Sequence, residues 1–148
     1  CHERIVDLGR WDYVSHQVIA SPFKPIDYMD KIDVLAARYL TNTKITCKYL
    51  TVELKKDEAE KSTINQILKY VDWVCTEYAY GDYEMIEACI IAAGYEEGMD
   101  RYYREVVQRH YTQGSHPVRN KQWNDLKLLK YTCVDGEIVY EDVTPPLR

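Results

Sequence analysis

The hydrophobic pattern of this chain changes its period partway along, and that change constrains the fold more than any other feature. Residues 31–39 and 44–54 alternate apolar with polar side chains and are rich in β-branched residues, which predicts two strands. Turn-forming residues at 41–43 predict that the two strands form a hairpin. From residue 57 to about 75 the apolar residues recur at the 3.6-residue period, and Asp57 is a good N-cap residue, so a helix is predicted there.

The remaining segments continue this series of elements. The pair Asp135-Gly136 is a strong hairpin signal between the last two predicted strands. The other predicted elements are a strand at 11–20, a buried strand at 84–93, a helix at 100–111, and strands at 127–134 and 137–141. The resulting order, three strands, a helix, a strand, a helix and two strands, predicts an α/β fold with a mixed central β-sheet flanked by helices.

The composition is that of a folded globular chain. With 148 residues, 46% hydrophobic and 29% charged, the sequence is neither collagen-like nor disordered, and its length suits a single domain over 1–148. The longest clean apolar run is about nine residues, whereas a membrane span needs about 20. We therefore expect no association with a membrane.

The first residue and the cysteines bear on origin and location. The chain begins with Cys1 rather than Met and carries no basic-then-apolar leader, so we expect a fragment of a longer protein whose upstream domain is missing. The five cysteines are odd in number, and none is spaced as a zinc knuckle or a redox dithiol. Cys75 and Cys89 lie in apolar runs and are predicted to be buried. A reducing, cytoplasmic location is expected.

Three charged residues stand out within the predicted hairpin. Glu53 and Lys55 point to the same face because side chains alternate along a strand, and Asp33 is a lone acid in the preceding strand. If the strands pair, the two carboxylates could face each other and repel, and a divalent cation such as Mg²⁺ would relieve that repulsion. A Glu-x-Lys sequence is also typical of a solvated, ion-paired edge strand. If the register of the strand is different, Asp30 rather than Asp33 would be the candidate acid of this strand.

Polar residues follow one side of the predicted helix. Gln66 and Tyr70 are four residues apart and share a face, which Thr63 and Trp73 extend. This stripe is offset by one residue, roughly 100°, from the apolar stripe. We expect Gln66 and Tyr70 to be partly accessible and to look toward the end of the Glu53 strand.

These elements together resemble a nuclease family. An Asp on one strand, a Glu-x-Lys on the next with 19 residues between the two acids, and a helix bearing Gln-x-x-x-Tyr are similar to the PD-(D/E)xK nuclease superfamily, in particular its RecB-like and NucS-type branches. The resemblance covers about 40 residues, and the predicted strand at 84–93 suits the order of elements in that family. It implies a restriction-endonuclease-like core.

The resemblance also implies roles for individual residues. Asp33 and Glu53 would be the acidic ligands of Mg²⁺ or Mn²⁺, and the main-chain carbonyl group of Leu54 would be a further ligand. Lys55 would position or activate the attacking water and stabilise developing charge.

On the predicted helix, the resemblance gives Gln66 and Tyr70 the role of orienting the site or touching a nucleic-acid phosphate. The sequence departs from the family pattern in lacking the proline before Asp33. The further acid that the family's first helix often supplies is either absent from this fragment or is Glu3.

The function implied by the resemblance is that of a magnesium-dependent deoxyribonuclease. Such an endonuclease would hydrolyse DNA phosphodiester bonds in DNA repair or defence, with DNA as its partner and a homodimer as one arrangement of the subunits. The alternative is a nuclease-like domain that has lost catalysis and binds nucleic acid or protein instead.

A basic region could support contact with DNA. Residues 99–131 carry seven Lys or Arg against three acidic residues, although the whole chain has a net charge of −5. Aromatic side chains lie among these charges and could stack on bases: Tyr102, Tyr103, Tyr111 and Trp123. The same composition is typical of a tyrosine-rich packed surface.

Overall fold

A six-stranded mixed β-sheet forms the centre of the protein. The computed structural model describes residues 3–5, 8–20 and 30–147. The strands are β1 (Glu3–Ile5), β2 (Gly9–Trp11), β3 (Tyr13–Ile19), β4 (Lys31–Tyr39), β5 (Thr46–Ala59), β6 (Ile86–Tyr95), β7 (Arg109–Gln113), β8 (Arg119–Trp123), β9 (Leu126–Val134) and β10 (Glu137–Asp142). The helices are α1 (Lys61–Glu77) and α2 (Met99–Val106), and a short 3₁₀ turn, Tyr83–Met85, precedes β6.

The strand order of the central sheet is β10-β9-β6-β5-β4-β3. β3, β4 and β5 are antiparallel neighbours, β5, β6 and β9 run parallel, and β10 returns antiparallel to β9. The parallel pair β5 and β6 is connected through α1, since parallel neighbours need a crossover. The predicted α/β fold with a mixed sheet is confirmed.

The two faces of the sheet are covered differently. Residues of α1 and α2, such as Ile64 and Tyr103, share one hydrophobic cluster with Leu35 of β4 and Ile90 of β6. The second cluster lies on the opposite face and is completed by residues of the N-terminal segment, including Trp11. In the described part of the chain, the helices therefore flank one face of the sheet. None of the helices in the described part of the chain has the length and apolarity needed to cross a membrane.

The first boundary to differ from prediction is the junction of β5 and α1. β5 continues through the residues assigned to the helix start, and Glu60 rather than Asp57 is the N-cap. The reason is pairing: β5 stays bonded to β6 as far as Ala59↔Tyr95, past a bulge between Lys55 and Glu58. Ladder hydrogen bonds with a buried neighbour outweigh the local capping preference of a single residue.

The second difference is a hairpin that replaces the end of the predicted helix at 100–111. α2 ends at Val106, and β7 pairs with β8 in the segment that follows. Long-range contacts hold this hairpin: Arg109 Nε lies 2.9 Å from Asp72 Oδ1, and Trp123 Nε1 donates a hydrogen bond to the Ile86 carbonyl oxygen. The predicted strand at 11–20 is likewise divided between β2 and β3.

Several local predictions are confirmed. β4 has the predicted limits, and β9 and β10 flank Asp135 and Gly136, whose φ angles of 52° and 84° suit a tight hairpin turn. Cys75 and Cys89 are buried. Burial raises the pKa of the Cys75 thiol to about 11, so that thiol is protonated at neutral pH.

Candidate active site

Asp33 lies where the ladder between β4 and β5 begins. The paired register runs from Val34↔Val52 onward, and the Asp33 carboxylate accepts a hydrogen bond from the Leu54 amide, with Oδ2 2.9 Å from that nitrogen. Its other oxygen, Oδ1, accepts a 2.9 Å hydrogen bond from Gln17 Nε2 on β3. Donors from both neighbouring strands therefore hold this carboxylate.

Glu53 is a buried carboxylate on the helix-covered side of the sheet. Its side chain is 2% exposed, and its register partner on β6 is the apolar Ile90. Lys55 lies on the same face, with Nζ 2.9 Å from Glu53 Oε1. The second oxygen, Oε2, is buried with no hydrogen-bond partner among the described residues. A buried acceptor without a donor is costly, and a bound cation would satisfy it.

The two carboxylates interact electrostatically. Burial raises the pKa of the Glu53 carboxyl, the hydrogen bond from Lys55 lowers it, and the charge of Asp33 raises it again. Repulsion between neighbouring carboxylates is the effect that a divalent cation relieves. The arrangement therefore provides two acidic groups with a lysine ammonium group beside one of them.

Gln66 and Tyr70 bond to each other on α1. Gln66 Nε2 donates a 2.8 Å hydrogen bond to the Tyr70 hydroxyl oxygen. Gln66 is half-buried, but Tyr70 is 3% exposed, so the expectation that both are partly accessible is wrong for Tyr70. A stripe only one residue away from the apolar stripe still lies against the sheet when the helix packs flat on it, and Thr63 is buried for the same reason.

The geometry of the β5–α1 connection brings Tyr70 back toward Glu53. β5 runs roughly 20 Å from Glu53 to its end, and α1 returns roughly 13 Å from its start to Tyr70. Burial raises the pKa of Tyr70, the Gln66 hydrogen bond lowers it, and the charges of Glu53, Asp30 and Asp33 raise it. The Tyr70 hydroxyl therefore lies in the field of the acidic groups.

Asp30 and Asp33, the two alternative candidates for the acid of β4, lie at different places. Asp30 is exposed and precedes β4, whereas Asp33 lies on β4 and bonds to the main chain of β5. The register of the strands therefore brings Asp33 to the Glu53 strand.

The sequence patterns did not indicate two features beside these residues. One is the bulge in β5 after Lys55, and bulges often occur next to active sites. The other is Gln17, whose contact with Asp33 depends on a left-handed backbone angle of 54° that periodicity cannot predict.

The donor set suits a cation that keeps much of its water shell. The described residues contain no group of three or more His, Cys, Asp and Glu side chains placed to hold a metal ion. Mg²⁺ binds through one or two carboxylates together with waters and substrate oxygens, and the unpartnered Glu53 Oε2 beside Asp33 is consistent with that need.

Comparisons with known proteins give partial similarities. Neither the family models nor the curated proteins include a match. A repair endonuclease from Pyrococcus abyssi is 23% identical over 56% of this chain and 32% of its own, with a TM-score of 0.39. EndoMS in a complex with dsDNA is 23% identical over 55% of this chain and 30% of its own, with a TM-score of 0.38. The chain thus spans about a third of each solved chain that it matches.

The aromatic residues of the basic region at 99–131 are partly structural. Tyr103 and Trp123 are 1% and 4% exposed, and their polar groups donate to main-chain carbonyl oxygens of Leu126 and Ile86. The hypothesis that they stack on bases is therefore wrong, because side chains so deeply buried cannot reach a ligand. Tyr102 and Tyr111 are half-buried.

Proposed function

We propose that this chain is a metal-dependent nuclease domain that hydrolyses DNA phosphodiester bonds with Mg²⁺ or Mn²⁺. The observation that carries the proposal is the buried Glu53 carboxylate, which has one oxygen unpartnered among the described residues, the other bonded to Lys55, and the charge of Asp33 acting on it. A folded chain does not keep a buried charge half-satisfied without a cost, and such costs are concentrated at functional sites.

Asp33 and Glu53 would hold the cation, and the Leu54 carbonyl group is a candidate further ligand. When bound, the cation lowers the pKa of a coordinated water and withdraws charge from a phosphate oxygen. Hydrogen bonds from Gln17 and the Leu54 amide fix the Asp33 carboxylate before any ligand arrives. This preorganisation reduces the reorganisation needed during reaction.

Lys55 supplies positive charge at the same place. Its ammonium group is held 2.9 Å from Glu53 Oε1, and its side chain is 34% exposed, so it faces both the buried carboxylate and solvent. In this position it stabilises negative charge that develops on a phosphate and orients the attacking water.

Gln66 and Tyr70 are proposed to orient the site. Tyr70 is buried, and its hydroxyl oxygen is already occupied by the Gln66 amide, so a positioning role fits better than an open phosphate contact. DNA as the substrate, a role in repair or defence and a homodimer rest on the resemblance of the sequence motif, whereas a cytoplasmic location rests on the pattern of the cysteines.

The test is cleavage of single-stranded and double-stranded DNA together with cation binding. We expect cleavage with Mg²⁺ or Mn²⁺ that stops on addition of a chelator, and a loss of at least about 100-fold in Glu53→Gln, which removes charge but little volume. Glu58→Gln is the matched control, since Glu58 is an exposed carboxylate on the same strand. Undiminished cleavage by Glu53→Gln, or no calorimetric binding of Mn²⁺ to the unaltered chain, would overturn the proposal.

A further inference from the structure

Gln17 adopts an unusual backbone conformation within a strand. Its φ is 54°, in the left-handed region that residues other than glycine and asparagine rarely adopt. The other non-glycine residues with positive φ in the described chain, Asn42, Tyr80 and Asp135, lie in turns. Gln17 instead lies inside β3, the edge strand of the sheet, and it is exposed.

The strained residue does not disturb the pairing around it. His16↔Val34 and Val18↔Ile32 remain in register on either side. The side chain of Gln17 makes a specific contact in this conformation: Nε2 donates a 2.9 Å hydrogen bond to Asp33 Oδ1. Strained backbone that persists without a local benefit to pairing is typical of functional sites.

We infer that Gln17 is a positioning residue that orients the Asp33 carboxylate for a divalent cation. This inference rests on the proposed function. The Leu54 amide holds Oδ2 from β5 and Gln17 holds Oδ1 from β3, so the plane of the carboxylate is fixed from both sides. Each oxygen keeps a free lone pair, and a cation that demands regular octahedral geometry binds best to a carboxylate whose orientation is already set.

Substitution of Gln17 distinguishes a positioning role from a structural one. A structural role predicts lower stability with unchanged cation binding, and a positioning role predicts the reverse. The hydrogen bond is exposed, so it contributes little to folding, whereas the left-handed backbone has an energetic cost. Gln17→Gly removes both the amide and the strain. Stability should therefore stay the same or rise, while cation binding should weaken, because partners that orient a metal ligand typically account for 10- to 100-fold in affinity.

The experiment is calorimetric titration of Mn²⁺ into the chain and its variants, with thermal unfolding of each. We expect the dissociation constant to rise about 10- to 100-fold in Gln17→Gly, which cannot donate the hydrogen bond to Asp33. Asn42→Gly is the matched control, because it relieves the same backbone strain at a turn on the far end of β4. Its dissociation constant should not change.

A double variant tests whether Gln17 acts through Asp33. If it does, Gln17→Gly combined with Asp33→Asn should bind Mn²⁺ no more weakly than Asp33→Asn alone. Equal affinity of Gln17→Gly and the unaltered chain, or additive losses in the double variant, would overturn this inference while leaving the proposed function intact. If the unaltered chain binds no Mn²⁺, both fail together.

Discussion

The buried hydroxyl group of Tyr70 interacts both with the side-chain amide of Gln66 on α1 and with the acidic residues of the candidate site. It accepts the Gln66 hydrogen bond, and the charges of three acids act on it. Because burial and those charges both favour the protonated form, the hydroxyl remains a neutral dipole at physiological pH. Such a group can orient its surroundings without adding charge.

Tyr70→Phe should separate a functional role from a packing role. The substitution removes only the hydroxyl, so we expect a loss in the free energy of unfolding within about 1.5 kcal/mol and a larger proportional loss of DNA cleavage. The measurements are denaturant unfolding and cleavage rates. Tyr103→Phe is the control, because its buried hydroxyl donates to the Leu126 carbonyl, and the acids whose charges raise its pKa are Asp125 and Asp142 rather than Asp33 or Glu53. Equal losses of cleavage in both variants would assign Tyr70 to packing alone.

At the level of single residues, the sequence predicted what alternation determines and missed what tertiary packing determines. The period of two along a strand was enough to place Glu53 and Lys55 on one face, and their ion pair has that geometry. The burial of Tyr70 depends on how flat α1 lies on the sheet. The contact of Gln17 depends on a backbone angle that no period expresses.

Among the elements, α1 has an unusual start. Its N-cap residue Glu60 makes no side-chain cap, and Glu96 from the end of β6 accepts hydrogen bonds from the Lys61 amide at 3.0 Å and from Lys61 Nζ at 3.1 Å. These bonds lower the pKa of the Glu96 carboxyl, the one from the Lys61 backbone amide most. A distant residue thus satisfies the first turn of the helix, which explains why a local capping signal misplaced its start.

Glu96→Gln should therefore weaken the start of α1 in a pH-dependent way. Because the pKa of Glu96 is lowered in the folded state, its stabilisation is present above its ordinary value of 4.5 and is lost as pH falls through the lowered value. We expect the variant to unfold at a lower temperature at pH 7 and to converge with the unaltered chain in acid. Glu97→Gln changes the same charge at the next, exposed residue and should have little effect at either pH. A constant difference across pH would contradict the capping role.

At the scale of the whole molecule, the layer order was predictable but the strand order was not. A helix between two strands predicts a parallel crossover, and β5, α1 and β6 follow that rule. The position of β9 beside β6 and the anchoring of the β7–β8 hairpin to α1 depend on contacts distant in sequence, such as that between Arg109 and Asp72. Local patterns carry little information about such pairings.

The ionisation of Glu53 links the stability of the whole chain to pH. Burial raises the pKa of Glu53 above its ordinary value of 4.5, so its contribution to stability is fully present below that pH and is lost as pH rises through the raised value. Above it, the folded chain holds a buried carboxylate that, among the described residues, is ion-paired with Lys55 through one oxygen and has no hydrogen-bond partner at the other. A divalent cation that binds this carboxylate and Asp33 would restore the lost stability.

Thermal unfolding with and without Mn²⁺ tests that link. At a free concentration ten times the dissociation constant, a bound cation adds about 1.4 kcal/mol, which raises the unfolding temperature of a domain of this size by roughly 3–6 °C. We expect this increase at pH 7.5 and a much smaller one at pH 4, because proton binding competes with the cation for the carboxylates. Glu53→Gln should abolish the increase at pH 7.5, whereas Glu58→Gln should retain it. An increase that is equal at both pH values, or that survives in Glu53→Gln, would place the cation elsewhere on the protein.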